Sequence, residues 1–517
     1  MGFLVWTGGG RVGEPVMRKT SFLRVGGTLA LAVAGLMLVR CGAPNDSRPA
    51  DVTPDRIRCA ARNLDVLVFN IEYGGTLVDF GNVVEAIRRT GADVVAIEEA
   101  YGNIDRLARE LAWPHYDRRT QVLSRLPLVA MQGNHGASLT LVEVSPGCVV
   151  SVGNVHLPSA PSGGRVRGQG GSRDEVVALE KKHRMPPLEP VLQDLGELVA
   201  TGVPSFLAGD FNASSHRDED FPWPTSLAVE AAGFRDSYRE IHPDQQAHPG
   251  FTWWAGRPQV AGWNPSPDAP QSRIDFLYAA GPARVTESRL VGEQGGRDVD
   301  IAVEPWVSDH RAIVSSFEVE PARIPVLIAV PHQRTTAGED VTVQYHSRGS
   351  GSSILLVRAR EMAEEAQLER AAPSSNAINT IRIPTRGMTP GAWEALLVDG
   401  GGVVQARAPF WVTTRGAQPG VETSKPRYRT GGAITARWSD TPGNRWDWVG
   451  VYDAAADPSQ GNPLLWRHTN SAIAGEMILD ETAEGGGWPL PPGDYRLVLS
   501  LDDSYVVLAE ARFEVVP

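Results

Sequence analysis

The sequence is poor in cysteine: Cys41, Cys59 and Cys148 are the three in 517 residues. They form no Cys-x-x-Cys pair and no Cys/His cluster, which argues against a zinc site. A dense disulfide framework is excluded as well, and a chain of this length buries a core large enough to need none. Cationic charge is also scarce, with 49 Lys+Arg against 61 Asp+Glu and a net charge of −12. The first 40 residues carry Arg11, Arg18, Lys19, Arg24 and Arg40 against Glu14, a local +4, so the remainder stands at −16. Such a body has no general attraction for nucleic acid or an anionic membrane surface. A phosphorylated substrate would need a metal ion or a local basic patch. Long helical patterns are few, and 54 Gly with 39 Pro mark many turns, which excludes an all-helical fold.

What is present begins with a targeting pattern over residues 1–43. Arg18, Lys19 and Arg24 precede fifteen uncharged residues, Val25 to Val39, an apolar core short for a membrane span. Leu38-Val39-Arg40-Cys41 follows and resembles a bacterial lipoprotein box, with Arg40 where a small residue is usual. Two outcomes stand: lipidation at Cys41, which would anchor the chain to a membrane, or cleavage and release. Either implies an exported protein, lipid-anchored in the cell envelope or secreted. Residues 1–16 read as an extension upstream of a second start, Met17. Residues 44–61 read as a tether. Outside the cytoplasm Cys59 and Cys148 form one disulfide, or they stay two buried thiols.

From residue 62 to 320, short apolar runs alternate with helical patterns. Strands are expected at Leu64–Ile71, Asp93–Ile97, Cys148–Leu157, Pro204–Leu207, Arg273–Tyr278 and Ala312–Phe317. Helices are expected at 81–90, 103–112, 174–183 and 189–200. This is a layered α/β domain. Beyond Pro321 the helical period fades and a duplication emerges. Val341–Tyr345 recurs as Ile434–Trp438, Pro390-Gly391 as Pro492-Gly493, and Phe410 as Phe513, at offsets of 93, 102 and 103. Each copy, 325–414 and 427–517, has the strands and turns of a small immunoglobulin-like β-sandwich, with 415–426 as the linker.

The chemistry sits at the polar ends of the α/β strands. Asn70 ends one run and Glu98-Glu99 the next. Ser124-Arg-Leu-Pro127, Asn154-Val-His156, Gly209-Asp210-Phe-Asn212, Arg273-Ile-Asp275 and Ser308-Asp309-His310 follow in order. Any one of these is more simply a turn former or a hydrogen-bonded core residue. Together, in this order, they resemble the endonuclease/exonuclease/phosphatase (DNase I-like) superfamily of metal-dependent phosphoesterases, over about residues 62–320 and with every core polar position filled.

The resemblance implies a four-layer α/β (α+β) sandwich and direct hydrolysis of a phosphodiester or phosphomonoester by metal-activated water. Glu99 matches the principal Mg²⁺ ligand, with Asn70 and Asp309 completing or bordering that site; Mn²⁺ is a possible substitute. Glu98 stands where the family more often has Gln, and either adds charge beside the metal or faces solvent. Asp210 would orient or deprotonate the attacking water, with Asn212 positioning it or the phosphate. His156 and His310 would donate hydrogen bonds to phosphoryl oxygens, and Asp275 would hold His310.

The substrate is open among nucleic acid, a phospholipid headgroup and a small phosphoester. Arg273-Ile-Asp275 replaces the Cys-Asp-Arg of the inositol polyphosphate 5-phosphatase branch and disfavours it. The insertion 158–188 holds Arg165, Arg167, Arg173, Lys181, Lys182 and Arg184, as a substrate-gripping loop or, more simply, a solvated loop and helix. Trp253, Trp254 and Trp263 are expected near the site mouth, to stack on a ligand or to pack under a loop. The last copy, with Trp446-Asp-Trp-Val-Gly-Val-Tyr452, resembles the SKICH-type β-sandwich, and the copies could bind an envelope ligand. A non-catalytic envelope binding protein that uses the same fold as a scaffold is the alternative function.

Overall fold

The apolar runs of residues 62–320 become the inner strands of two sheets. In the computed structural model the described residues are 59–517, apart from 262–263, 265–269, 349–350, 360–365, 376 and 460–461. The signal segment with Cys41, residues 44–58 of the tether, and Trp263 lie outside them. In chain order the α/β strands are β1 (Arg62–Asn70), β2 (Val94–Glu98), β3 (His115–Asp117), β4 (Val122–Ser124), β5 (Leu128–Gln132), β6 (Ser138–Ser145) and β7 (Cys148–His156). They continue with β8 (Ser205–Asp210), β9 (Arg235–Asp236), β10 (Asp275–Ala280), β11 (Ala283–Gly292), β12 (Val299–Ala302) and β13 (Ala312–Val319). One sheet runs β12-β11-β13-β1-β2-β4-β3 and the other β5-β6-β7-β8-β10-β9, with Ala322–Arg323 pairing on β7.

Three apolar layers make this a four-layer sandwich. Between the sheets, Val66, Val68, Val94 and Ala96 meet Val150, Val152, Phe206, Ala208 and Leu277. Successive side chains on a strand face opposite ways, so Leu67, Phe69, Val95 and Ile97 point outward, onto the helices Phe80–Thr90 and Ile104–Leu111. On the far side the helix Met185–Ala200 lays Leu188, Val191 and Leu195 against Leu139, Val155 and Leu207. Strands covered on both faces must be apolar at every position, which is why they read as unbroken runs. This helix starts at Met185, four residues before the expected 189. Two prolines fill its first turn, where no intrahelical N–H is required.

The insertion folds as helices Gly163–Gly168 and Arg173–His183, the second capped by Ser172 accepting the Glu175 N–H. Arg165, Arg167, Arg173, Lys181 and Lys182 are exposed. Arg184 is fully buried and pairs with Glu180 at 2.8 Å. Five of the six cations are therefore solvated, and the sixth is structural.

The two C-terminal copies have one architecture. Each sets a three-stranded sheet (Leu327–Ala329, Asp340–His346 and Asn379–Pro384; Gly420–Thr423, Ile434–Ser439 and Gly475–Leu479) against a five-stranded one. Trp393 and Phe410 occupy the first core, and Tyr495 and Phe513 hold the corresponding places in the second. Residues 420–423, assigned to the linker from sequence, are instead the edge strand of the second sandwich, paired with residues 436–439. The Gly/Pro content of their flanks hid a strand only four residues long. No helix among the described residues is long and apolar enough to cross a membrane.

Cys59 and Cys148 form a disulfide that ties the chain ahead of β1 to the start of β7, across 89 residues. Closing a loop of that size restricts the unfolded chain and stabilises the fold by about 2–4 kcal/mol. Cys148→Ser or full reduction is expected to lower Tm by several degrees in a melting experiment. An unchanged Tm with and without reductant would show that the bond is not made.

Candidate active site

Strand polarity gathers the polar ends at one edge of the sandwich. β1 and β2 run parallel and finish level, Asn70 beside Glu98. β7 and β8 do the same in the other sheet, His156 beside Asp210. β10 runs against β8 and starts opposite its end, Asp275 beside Asp210. His310 enters from the loop before β13. The last turn of β8 depends on Gly209, at φ +144°, where an added Cβ would collide with the Val155 carbonyl oxygen. That close approach brings β7 and β8 together just below the site.

Asp210 is the centre. Its Oδ2 accepts from Asn70 Nδ2 at 3.1 Å and lies 3.6 Å from His156 Nε2 and 3.7 Å from His310 Nε2. Its Oδ1 accepts the Asn212 N–H at 2.7 Å, and the Asn212 side chain donates to the Leu157 carbonyl. Asn70 Nδ2 also lies 3.2 Å from Glu99 Oε1, and Glu99 Oε2 accepts the Tyr73 N–H at 3.0 Å. His310 Nδ1 meets Asp275 Oδ2 at 2.9 Å. Asp309 Oδ2 accepts from Trp253 Nε1 at 3.1 Å, and the Asp309 N–H donates to Glu72 Oε2 at 2.8 Å. Trp253 is thus at the site, bonded to a predicted metal ligand.

Burial shapes the charges. Desolvation, then Asp275, push the Asp210 carboxyl up, the two imidazoles oppose them, and it settles at about 6. Desolvation lowers His156, but Asp503, Asp210 and Glu99 outweigh it and hold the imidazole up at about 10. His310 is likewise raised, with burial opposing and Asp275, Asp309 and Asp210 prevailing. Both imidazoles are thereby held toward the cationic form. Glu98 is fully buried, so it does not face solvent, and neither carboxylate oxygen has a hydrogen-bond partner among the described residues. Desolvation and Asp275 raise it well above the usual carboxylate range.

The donor set fits a hard divalent cation. The groups are carboxylates and an amide, and buried oxygens of Glu98 and Asp275 lack hydrogen-bond partners among the described residues. Asn70 and Glu99 touch each other, whereas Asp210, Asp275 and His310 offer ligand atoms within 4.8 Å of one another. The identity of the ion is not fixed by these residues.

Residues 67–310 match the model of the Endonuclease/Exonuclease/phosphatase family. That match spans most of the α/β domain, which is similar to the family over this stretch. An uncharacterized protein of Caenorhabditis elegans is 28% identical over 252 residues, 43% of this chain and 80% of its own length. A solved endonuclease/exonuclease/phosphatase from Beutenbergia cavernae is 20% identical, covering 68% of this chain and 100% of its own, with a TM-score of 0.32. Truncated Caenorhabditis elegans TDP2 is 20% identical, covering 50% and 98%, with a TM-score of 0.33.

In the α/β domain, sequence reading missed two kinds of residue. Glu72 lies two positions past Asn70 and is buried against Arg257, with 2.6 Å between its Oε1 and the guanidinium. Desolvation raises Glu72, Arg257 pulls it back, and it stands at about 7. The second kind comes from the last sandwich. Asp503, Trp446 and Arg445 reach His156 and Asn154, and no local pattern announced them.

Gly209→Ala is expected to displace the end of β8 and cut activity at least tenfold while lowering Tm. Full activity in a soluble Gly209→Ala protein would mean that Asp210 does not depend on this contact.

Proposed function

We propose that the chain is an exported, divalent-metal-dependent phosphoesterase that cleaves its substrate by direct attack of water. The observation that carries this reading is the convergence on Asp210 Oδ2 of Asn70, His156 and His310, all within 3.7 Å. One carboxylate flanked by two imidazoles held toward their cationic form suits an anionic substrate whose nucleophile must give up a proton.

Each side chain then has one task. Asp210 orients the water and takes its proton, with its geometry fixed by the Asn70 amide and the Asn212 N–H. Asn212, held by the Leu157 carbonyl, keeps the loop after β8 in place. His156 and His310 present Nε2–H to the phosphoryl oxygens, where negative charge builds during attack. Asp275 fixes the ring of His310 through Nδ1. Asn70, Glu99 and Asp309 would hold the cation, Mg²⁺ or Mn²⁺ in its place, which neutralises phosphate charge when bound.

The basic n-region, the short apolar core and the Cys59–Cys148 pair support export, with Cys41 as the lipid-anchor residue. The −16 body favours a single phosphoester on a small molecule or headgroup over a long polyanion. For the C-terminal copies, the Trp446–Tyr452 segment and Pro492-Gly-Asp-Tyr495 support a SKICH-like ancestry.

The test is hydrolysis by the purified chain, with Mg²⁺ and with EDTA, of sphingomyelin, an inositol phosphate, a chromogenic phosphodiester, RNA and plasmid DNA. Turnover is expected to vanish with EDTA and to fall about 10²–10⁴-fold in Asp210→Asn. Glu99→Ala should abolish it and weaken Mg²⁺ binding in calorimetry. Turnover that survives both EDTA and Asp210→Asn would overturn the proposal.

A further inference from the structure

The duplication supplies an internal control for what the last sandwich does. In the first copy, the hairpin loop between Gly391–Val398 and Val404–Thr413 is Asp399-Gly-Gly-Gly-Val403. In the second, the equivalent loop is Leu501-Asp-Asp-Ser-Tyr-Val506. The loop that joins the two sheets likewise changes, from residues 347–352 in the first copy to 440–447 in the second. The framework has been kept and two loops rebuilt.

Those two loops are locked together. Asp447, fully buried, accepts the N–H groups of Gly443 and Asn444 from its own loop and of Asp502 from the other, each at 3.0 Å. The Asp503 N–H donates to the Trp446 carbonyl at 2.8 Å. The pair then sits on the α/β domain, with which it forms one compact unit. Asp502 accepts the Gly102 N–H at 2.8 Å and Gln121 Nε2 at 2.7 Å. Arg445 donates to the Asn154 carbonyl, and the Trp446 ring meets His156 edge-on at 6.0 Å. Tyr505 faces Tyr73 at 6.5 Å.

At the centre of this contact, Asp503 Oδ2 lies 3.1 Å from His156 Nδ1. The two site imidazoles are therefore arranged alike. His310 has a carboxylate on Nδ1, Asp275 at 2.9 Å, and turns Nε2 to Asp210 at 3.7 Å. His156 has Asp503 on Nδ1 and turns Nε2 to Asp210 at 3.6 Å. The difference is origin: β10 supplies the first carboxylate and the appended sandwich the second. Among the described residues no carboxylate of the α/β domain pairs with His156 Nδ1.

We propose that Asp503 is a positioning residue of the active site, and that the last sandwich completes the site by holding His156 with Nε2 toward the phosphoryl group. This rests on the phosphoesterase reading above. A carboxylate on Nδ1 keeps a proton on that nitrogen and fixes the ring plane of an imidazole. Without it, His156 would be free to turn its donor away from the substrate.

The experiment uses the full chain and the best substrate of the panel, with Asp503→Asn, Asp503→Ala and Asp503→Glu, each also made with His156→Ala. Glu476→Gln, on the exposed side of the same sandwich, is the control. Expected are a fall in kcat of about 10²-fold for Asn and Ala with KM within about twofold, and partial rescue by Glu. In the double variants Asp503→Ala should cost nothing beyond His156→Ala, because the two residues act as one unit. Additive losses, or an Asp503→Ala enzyme within about twofold of wild type, would overturn the proposal. Melting curves check that Asp503→Asn, close in shape to the original, stays folded. An NMR readout separates this inference from the function it rests on. The downfield Nδ1–H signal of His156, absent in His156→Ala, is expected to disappear in Asp503→Ala. If the wild type hydrolyses nothing, the phosphoesterase reading fails while this signal still decides the pairing, and its persistence in Asp503→Ala would refute it.

Discussion

Glu98, Asp210 and Asp275 lose their water side by side at the ends of three strands, and the surrounding structure is arranged around that cost. Each carboxylate makes a charge on the next harder to keep, so Glu98 and Asp210 are both pushed upward. A fold can meet such a cost with hydrogen bonds, with opposite charge or with a bound cation. Here Asn70 and the Asn212 N–H serve Asp210, and His310 serves Asp275. Glu98 is left without a hydrogen bond. Asp275 opens β10 opposite the end of antiparallel β8, Glu98 closes β2 in the facing sheet, and Gly209 lets β7 approach β8.

This explains which parts of the site were legible in the sequence. A strand buried on both faces is apolar throughout, so a polar residue at its end stands out. Asn70, Glu99, His156, Asp210 and Asp275 each close or open such a run, and the structure brings them to one edge. Asp309, His310 and Asn212 follow at short range. Glu72 was passed over because its importance comes from Arg257, a partner 185 residues away that no pattern connects to it. The strand at residues 420–423 was lost in a Gly/Pro-rich stretch because four residues carry too little periodicity to register. The layered α/β domain and the paired β-sandwiches were visible because they depend on repeated, local features, whereas the four-layer arrangement came with the family resemblance.

Asp503 was illegible for a different reason. It lies in a hairpin loop, where consecutive Asp residues are most simply turn formers. Its meaning appears only when the sandwich docks, an event set by surfaces rather than by the order of residues. The comparison of the two copies could still have raised the question. One hairpin carries three consecutive glycines and the other carries Asp-Asp-Ser-Tyr at the same place in the same framework. Where a duplicated fold keeps its core and changes its loops, the change marks what one copy does and the other does not.

The docked arrangement is also an exchange of charge between the two parts. The sandwich brings Asp503 to His156, while Arg445 comes under the attraction of Glu98, whose carboxylate offsets part of the burial that lowers the arginine to about 10. Separation would strand both sides. His156 would lose a carboxylate, while the loops held by Asp447 would expose Arg445, Asp502, Asp503 and Trp446 together. Breaking several buried polar contacts at once costs far more than breaking any one of them, so partial undocking is disfavoured. A contact with that property behaves as part of the active-site wall. The second sandwich is then better understood as a late addition to the catalytic domain's own architecture than as a module carried beside it.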